Sequence, residues 1–342
     1  MASKITIHDV AQHAGVSVSS VSRALNDYPH VSQELKDRVM VAAQELSYQP
    51  AFCAHSLRRG TTKTIGFLVG TIANPVISTI FEGASEALAA DGYAMTLVSS
   101  RNKADLDTAY LRLLASRQVS GLIVSSAAES PQQSNAILTR LKIPTVLLDR
   151  ALPTGDHIFA VQSDHDHGII KAVQHLVQNG HQDIAFLGGP DDFYPTSQRF
   201  LGFQKALEDL GIPLKRELVR FTAFTETDAF AEALVLFQHN PLPTALIIAG
   251  NIILTGALMA LQELGSNVGK DLALIACDDI HLTRLYRPPI TSISRDLDLM
   301  GKTAARLLLQ VIQGKDEGRT EHIIKLPTKL NIRESSDYLV TT

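Results

Sequence analysis

The sequence predicts an α/β protein in which a small helical N-terminal domain precedes a core of two parallel-sheet halves. Three observations carry this reading. The first sixty residues hold no strand-like run but show three segments of helical apolar spacing, each introduced by a hydroxylated residue. From Thr64 onward, short apolar runs alternate with amphipathic stretches, the pattern of parallel strands with helices on both faces. The 342 residues, 45% of them hydrophobic, suffice for two or three domains, each with its own core.

In chain order, Thr6 is placed to cap a first helix carrying Val10, Ala11 and Ala14, with Asp9 at its third position and Gly15 as a left-handed stop. Ser17 caps a second helix whose buried face is Val21, Ala24 and Leu25, leaving Val18, Ser19, Ser22 and Arg23 outside. Ser32 caps a third, in which Leu35, Val39, Ala42, Ala43 and Leu46 recur at helical spacing. Two short helices joined by Ala14-Gly15-Val16 form a helix-turn-helix, and small polar residues with an arginine at the second helix suit a DNA major groove. An arginine can bond two acceptors of guanine, worth roughly 1–3 kcal/mol of discrimination. Spacing alone leaves two readings of Arg23, a base-reading residue or a solvated one.

Ile7 to Leu25, IHDVAQHAGVSVSSVSRAL, with the following NDYPHVSQELKDRVMVAAQELSYQP, closely resembles the DNA-binding head of the lactose repressor (LacI/GalR) family. The resemblance continues through Asn74-Pro75, Asp149-Arg150, the run from Arg199 to Phe203, and Asp278-Asp279 before PPITSI. It implies base contacts by Val18, Ser19, Ser20 and Arg23, and a DNA-facing surface that also takes in Thr6, Ser17, Asn26 and His30. Pro50 and Gly60 bracket about ten residues of helical character, too short to be stable alone. In the family such a segment is a hinge helix that pairs with its twin in the minor groove. Leu57 matches the leucine that wedges between base pairs, and Ala54 lies one turn earlier. Ala51 and His55 depart from the family's asparagine and arginine. Cys53, on the same segment, reads either as a small buried hydrophobe or as a partner in a cross-subunit disulfide. The expected organisation is a head over 1–49, a hinge and linker over 50–63, and a core over 64–342.

The core's apolar runs IGFLVG, AMTLVSS, GLIVSS and TVLLD, then DIAFLGG, ALIIAG and LALIACD, read as strands. A break near 152–162 and a return near 290–295 divide them into lobes of approximately 64–160 with 291–333, and 161–290. The resemblance implies a periplasmic-binding-protein-like fold with the crossing segments as a hinge. Ligands of such sheets bind beyond the carboxyl ends of the strands. That rule selects Ala73, Asn74, Ser125, Asp149, Asp192, Phe193, Asn251 and Asp278, and the family's ligand positions add Arg199 and Phe224. Donors, acceptors and aromatic faces suit a polyhydroxylated ligand. Gly250-Asn251 stands where the family carries an asparagine–aspartate pair, and Arg295 adds a cation. A sugar acid or sugar phosphate is therefore a candidate beside a neutral sugar.

The net charge of −4 splits into +1 over residues 1–60 and −5 over the remainder, a weak signal for nucleic acid. Two cysteines exclude a disulfide scaffold and offer no zinc spacing. There is no signal-like N-terminus and no membrane-length apolar run, so the expected location is cytoplasmic, without membrane partners. No G-x-G-x-x-G after the first strand, phosphate loop, H-E-x-x-H or G-x-S-x-G is found, so no catalytic residue, metal or cofactor is assigned. His165 and His167 read as solvated or capping. The expected function is an effector-controlled transcriptional regulator, most simply a repressor, with palindromic operator DNA and a sugar-like effector as partners. A solute-binding protein for sugar uptake is the alternative, against which the head argues. The tail RESSDYLVTT holds no leucine heptads and leaves homodimer against tetramer open.

Overall fold

The computed structural model describes residues 5–25, 28–48, 62–126, 131–151, 153, 155–238, 242–315 and 321–337. It divides into two units, Met1–Thr62 and Lys63–Thr342. The predicted hinge residues Cys53, Ala54 and Leu57, and Asn26, lie outside the described residues.

The first unit contains α1 (Ile7–Ala14), α2 (Val18–Leu25) and α3 (Gln33–Glu45). Their apolar stripes meet in one small core of Val10, Ala11, Ala14, Val21, Ala24, Val39, Ala42 and Ala43. The capping residues read from the sequence start and stop these helices. The Asp9 carboxylate accepts from both the backbone N–H and the hydroxyl of Thr6 at 2.7 Å. Gly15, at φ 64°, ends α1 in the left-handed region that a side chain disfavours. Ser32 Oγ accepts from Leu35 N–H at 3.3 Å. Ser32→Ala is expected to destabilise the head by about 0.5–2 kcal/mol. Faster hydrogen exchange across α3, with none in the core, is the readout.

The second unit holds two six-stranded sheets of identical strand order. The first runs β11–β5–β4–β3–β1–β2 and the second β12–β10–β9–β8–β6–β7. In chain order the strands of the first are β1 (Thr62–Val69), β2 (Ala94–Ser99), β3 (Val119–Ser125), β4 (Thr145–Leu148), β5 (Ile158–Ser163) and β11 (Ile323–Leu326). Those of the second are β6 (Ile184–Gly188), β7 (Val219–Phe221), β8 (Ala245–Ile248), β9 (Ala273–Cys277), β10 (Thr291–Arg295) and β12 (Thr328–Asn331). Of the pairings β1–β2, β3–β4, β4–β5, β5–β11, β6–β7, β6–β8, β8–β9, β9–β10 and β10–β12, only the last is antiparallel. Parallel strands buried on both faces need apolar residues at nearly every position, which is why they were readable as runs.

Helices cover both faces of each sheet. In the first lobe α4 (Pro75–Ala89) and α12 (Leu297–Ile312) close one face, α5 (Ala104–Ser116) and α6 (Pro131–Leu141) the other. In the second, α7 (His165–Gln178) and α8 (Tyr194–Asp209) oppose α9 (Glu226–Leu236) and α10 (Asn251–Glu263), and the short α11 (His281–Leu285) follows β9.

The expected lobe boundaries need correction. Residues 291–333 do not return as a block to the first lobe: β10 and β12 belong to the second sheet, while α12 and β11 join the first. Nor does the first sheet stop at 160, since β5 continues to Ser163. Pro327, which lacks an N–H, separates β11 from β12, so one extended segment contributes an edge strand to each sheet. The chain therefore crosses between lobes at 163–165, 295–297 and 326–328.

Candidate functional site

Two regions bring functional side chains together. In the head, α2 presents an exposed Ser19 and Arg23 and half-buried Val18 and Ser20, held from behind by buried Val21 and Ala24. Ser17 Oγ accepts from Ser20 N–H at 3.2 Å and lies 2.8 Å from the hydroxyls of Ser19 and Ser20. The start of α2 is thus a cluster of short hydroxyls at a helix N-terminus, a surface suited to phosphate and base-edge acceptors. Thr6 is exposed at the start of α1, and His30 is exposed in a left-handed turn, φ 72°.

In the core, the carboxyl ends of both sheets face one cleft, and a cavity of about 90 Å³ lies in it. That exceeds the roughly 10–15 Å³ one water needs. Asn74, Ser125, Asp149, Phe193, Arg199, Phe224, Asn251, Asp278 and Arg295 line it. Ala73 and Asp192 do not: both are exposed on the turns that precede the lining residues Asn74 and Phe193. Asn102, which lines the cavity from beyond β2, was missed although the same strand-end rule points to it. Gly70 makes room for it, since a Cβ there would sit 1.7 Å from Asn102 Oδ1.

The floor of the cleft is a buried ion network. Asp149 follows β4 and Asp278 follows β9, equivalent strands of the two sheets, and both take left-handed backbone at φ 47° and 72°. Arg295, at the end of β10, donates through Nη1 to Asp149 and through Nε to Asp278 at 2.8 Å. It also reaches Ser163 Oγ at 3.2 Å. Arg199 donates to the Ala249 carbonyl at 2.9 Å and stands 3.9 Å from Asp278. His165 is buried with Nε2 3.1 Å from Asp149 Oδ1, so it is neither the solvated nor the capping residue expected, while His167 is exposed.

Burial alone would raise the Asp149 carboxyl, but His165 and Arg295 outweigh it and hold it well below the usual carboxylate range. Asp278 is likewise pushed up by burial and drawn below its ordinary value by Arg295 and Arg199. Burial lowers His165. Two carboxylates and two guanidiniums leave the cleft with no net charge, so Arg295 is not the unneutralised cation the sequence alone offered. Beside the ions, Phe193 and Phe224 meet edge to face, centroids 4.8 Å apart, and can support a flat apolar surface. Burial pushes the Tyr194 hydroxyl up to about 12, keeping it a donor.

Residues 6–51 match the bacterial regulatory proteins of the lacI family, and residues 173–336 match a periplasmic binding protein-like domain. Over 330 residues the chain is 31% identical to the HTH-type transcriptional repressor PurR of Histophilus somni, covering 96% of this chain and 98% of that one. The chain belongs to the LacI family. A second PurR, from Pectobacterium atrosepticum, is 32% identical over 333 residues, 97% of each chain. Among solved structures, the Lac repressor dimer bound to operator and the anti-inducer ONPF superposes with a TM-score of 0.85 at 28% identity, covering 99% of this LacI-family chain and 100% of that one. The regulator CelR in complex with cellobiose gives 0.74 at 28% identity, covering 97% and 99%. As a family member, this chain is a helix-turn-helix DNA-binding transcriptional regulator. Among the described residues no helix is long and apolar enough to cross a membrane, and no group of His, Cys, Asp and Glu is arranged to hold a metal.

Proposed function

We propose that this chain is a cytoplasmic, non-catalytic repressor that binds a palindromic operator as a homodimer and whose grip on DNA is set by an uncharged, polyhydroxylated small molecule between the two lobes. One observation carries the effector class: every ionised group lining the cleft is matched within it, by Arg295 with Asp149 and Asp278 and by Arg199 beside Asp278. A charged ligand would bury an unmatched charge there, whereas hydroxyls find both donors and acceptors in Asn74, Ser125, Asn251 and the ion pairs. The hydroxyl-rich start of α2 supports the DNA half of the reading. So do the operator and anti-inducer bound to the Lac repressor and the cellobiose bound to CelR.

The test is a thermal-shift screen of ribose, cellobiose, gluconate and glucose 6-phosphate, followed by operator-fragment binding with each hit. Neutral sugars are expected to raise the melting temperature of the core, and the hits to change DNA affinity by about 5–150-fold. Stabilisation by the acids alone would overturn the effector class. A strict monomer with no preference among DNA sequences would overturn the whole reading.

A further inference from the structure

The two sheets end in the same turn with different residues beside it. Asp149 donates its N–H to the Val161 carbonyl at 3.0 Å, and Asp278 donates its N–H to the Ile293 carbonyl, also at 3.0 Å. Both aspartates take left-handed backbone there. Two residues beyond each of those carbonyls stand Ser163, the last residue of β5, and Arg295, the last residue of β10. Ser163 and Arg295 are therefore equivalent positions of the two lobes, one small and neutral, the other a cation.

Ser163 serves its own lobe, giving its N–H to Asp149 Oδ1 at 2.7 Å. Arg295 serves both. Its Nε holds Asp278 Oδ1 at 2.8 Å, while its Nη1 donates to Asp149 Oδ2 and reaches Ser163 Oγ at 3.2 Å. One planar guanidinium thus spans two buried carboxylates that come from opposite lobes. Arg199 is committed to the Ala249 carbonyl at 2.9 Å and stands 3.9 Å from Asp278. Burial holds His165 below its ordinary value, so at neutral pH it adds no charge. With the Arg295 side chain removed, Asp149 and Asp278 face Arg199 alone, one negative charge in excess at a site where an unmatched charge is costly.

We propose that Arg295 sets the charge selectivity of the cleft: it is a resident cation seated in a guanidinium site built by Asp149 and Asp278, and it refuses cationic ligands while leaving hydroxyls free to bind. Selectivity then rests on a repulsive element as well as on attractive ones. An amino sugar or an amidine entering this cleft brings a second cation to carboxylates that are already matched. Shortened to alanine, the same position becomes a receptor for the cation it has lost. Arg295 and Val76 also line a second cavity, of about 810 Å³, so a small probe has two routes to that vacated place. The inference rests on reading this cleft as the effector site, and it names the residue that fixes the charge of the ligand.

The test is calorimetric melting of the full chain with N-ethylguanidinium, which replaces the side-chain atoms lost in Arg295→Ala one for one. N-Ethylurea, the same shape without the charge, is the control, with chloride held equal. Wild type and Arg295→Lys, which keeps a cation in place, are expected to respond alike to the two compounds. Arg295→Ala is expected to melt about 3–6 °C higher with ethylguanidinium at about ten times its dissociation constant, and to gain nothing from ethylurea. If Arg295→Ala does not fold by itself, recovery of folded chain on refolding with ethylguanidinium, and not with ethylurea, is the supporting result. Equal effects of the two compounds on Arg295→Ala, or no effect of either, would show that the carboxylates do not form a cation site. A response of wild type or of Arg295→Lys as large as that of Arg295→Ala would show that Arg295 excludes nothing. Neither sugar nor DNA enters the experiment, so its failure is separate from failure of the effector and operator assays.

Discussion

Arg295→Met is expected to destabilise the core by about 3–5 kcal/mol at pH 7, the loss typical of removing one partner from a buried ion pair. Methionine fills much the same volume, so the loss comes from charge and not from a cavity. Asp149 keeps His165, and Asp278 keeps only Arg199 at 3.9 Å. The direction of the pH dependence separates this account from a packing defect. In the wild type both carboxyls sit below their ordinary range. Their stabilisation is therefore complete above an unfolded value of about 3.9 and is lost as pH falls below it. Between pH 8 and 5 these two groups leave wild-type stability flat. In the variant, Asp278 loses its strongest partner while its burial stays, so its carboxyl rises above the unfolded value and the penalty is largest at high pH and shrinks as pH falls toward 5, whereas Asp149 keeps His165 and the Ser163 N–H. Melting of the core at several pH values reads this directly. A variant with wild-type stability, or with a uniform loss at every pH, would show that the network is not what ties Asp149 to Asp278.

Why the strands were legible and the ion network was not follows from the range over which each is determined. A buried parallel strand announces itself within five to eight residues, as IGFLVG and ALIIAG do, because both faces must be apolar. A helix start is just as local: Thr6 with Asp9, Ser17 with Ser20, and Ser32 with Leu35 lie within three residues of each other. The strand-end rule likewise found Asn74, Ser125, Asp149 and Asp278, since it needs only the order of elements. Partners are another matter. Arg295 finds one carboxylate 17 residues away and the other 146 residues away, and nothing near it in sequence announces either. Read alone it is a cation inviting an anionic ligand; read with its partners it is neutralised. His165 failed for the same reason, because the carboxylate it meets, Asp149, lies on another strand end that nothing next to His165 in sequence announces. Residues 291–333 were given whole to the first lobe because only Pro327 separates β11 from β12, and one extended segment feeding two sheets has no period of its own.

Arg23→Ala is expected to weaken operator binding by about 5–150-fold, corresponding to the roughly 1–3 kcal/mol that a bidentate arginine–guanine contact contributes. The effect should fall on specificity. Arg23 is exposed on α2, and the residues that hold the helix in place, Val21 and Ala24, are buried on its other face. Truncating Arg23 therefore leaves the head folded, and hydrogen exchange across α1 to α3 is expected to match the wild type. Binding to random duplex should change little, apart from a salt dependence reduced by at most about one phosphate equivalent. Stabilisation of the core by its effector should be untouched, because that cleft is built from the second unit. Measuring operator and random-sequence affinity side by side, at two salt concentrations, separates the possible roles. Equal losses on both duplexes would make Arg23 a phosphate contact and pass the reading of bases to Val18, Ser19 and Ser20. In the free head the hydroxyls of both serines are held against Ser17 Oγ at 2.8 Å, so reading a base would exchange that bond for one to the duplex.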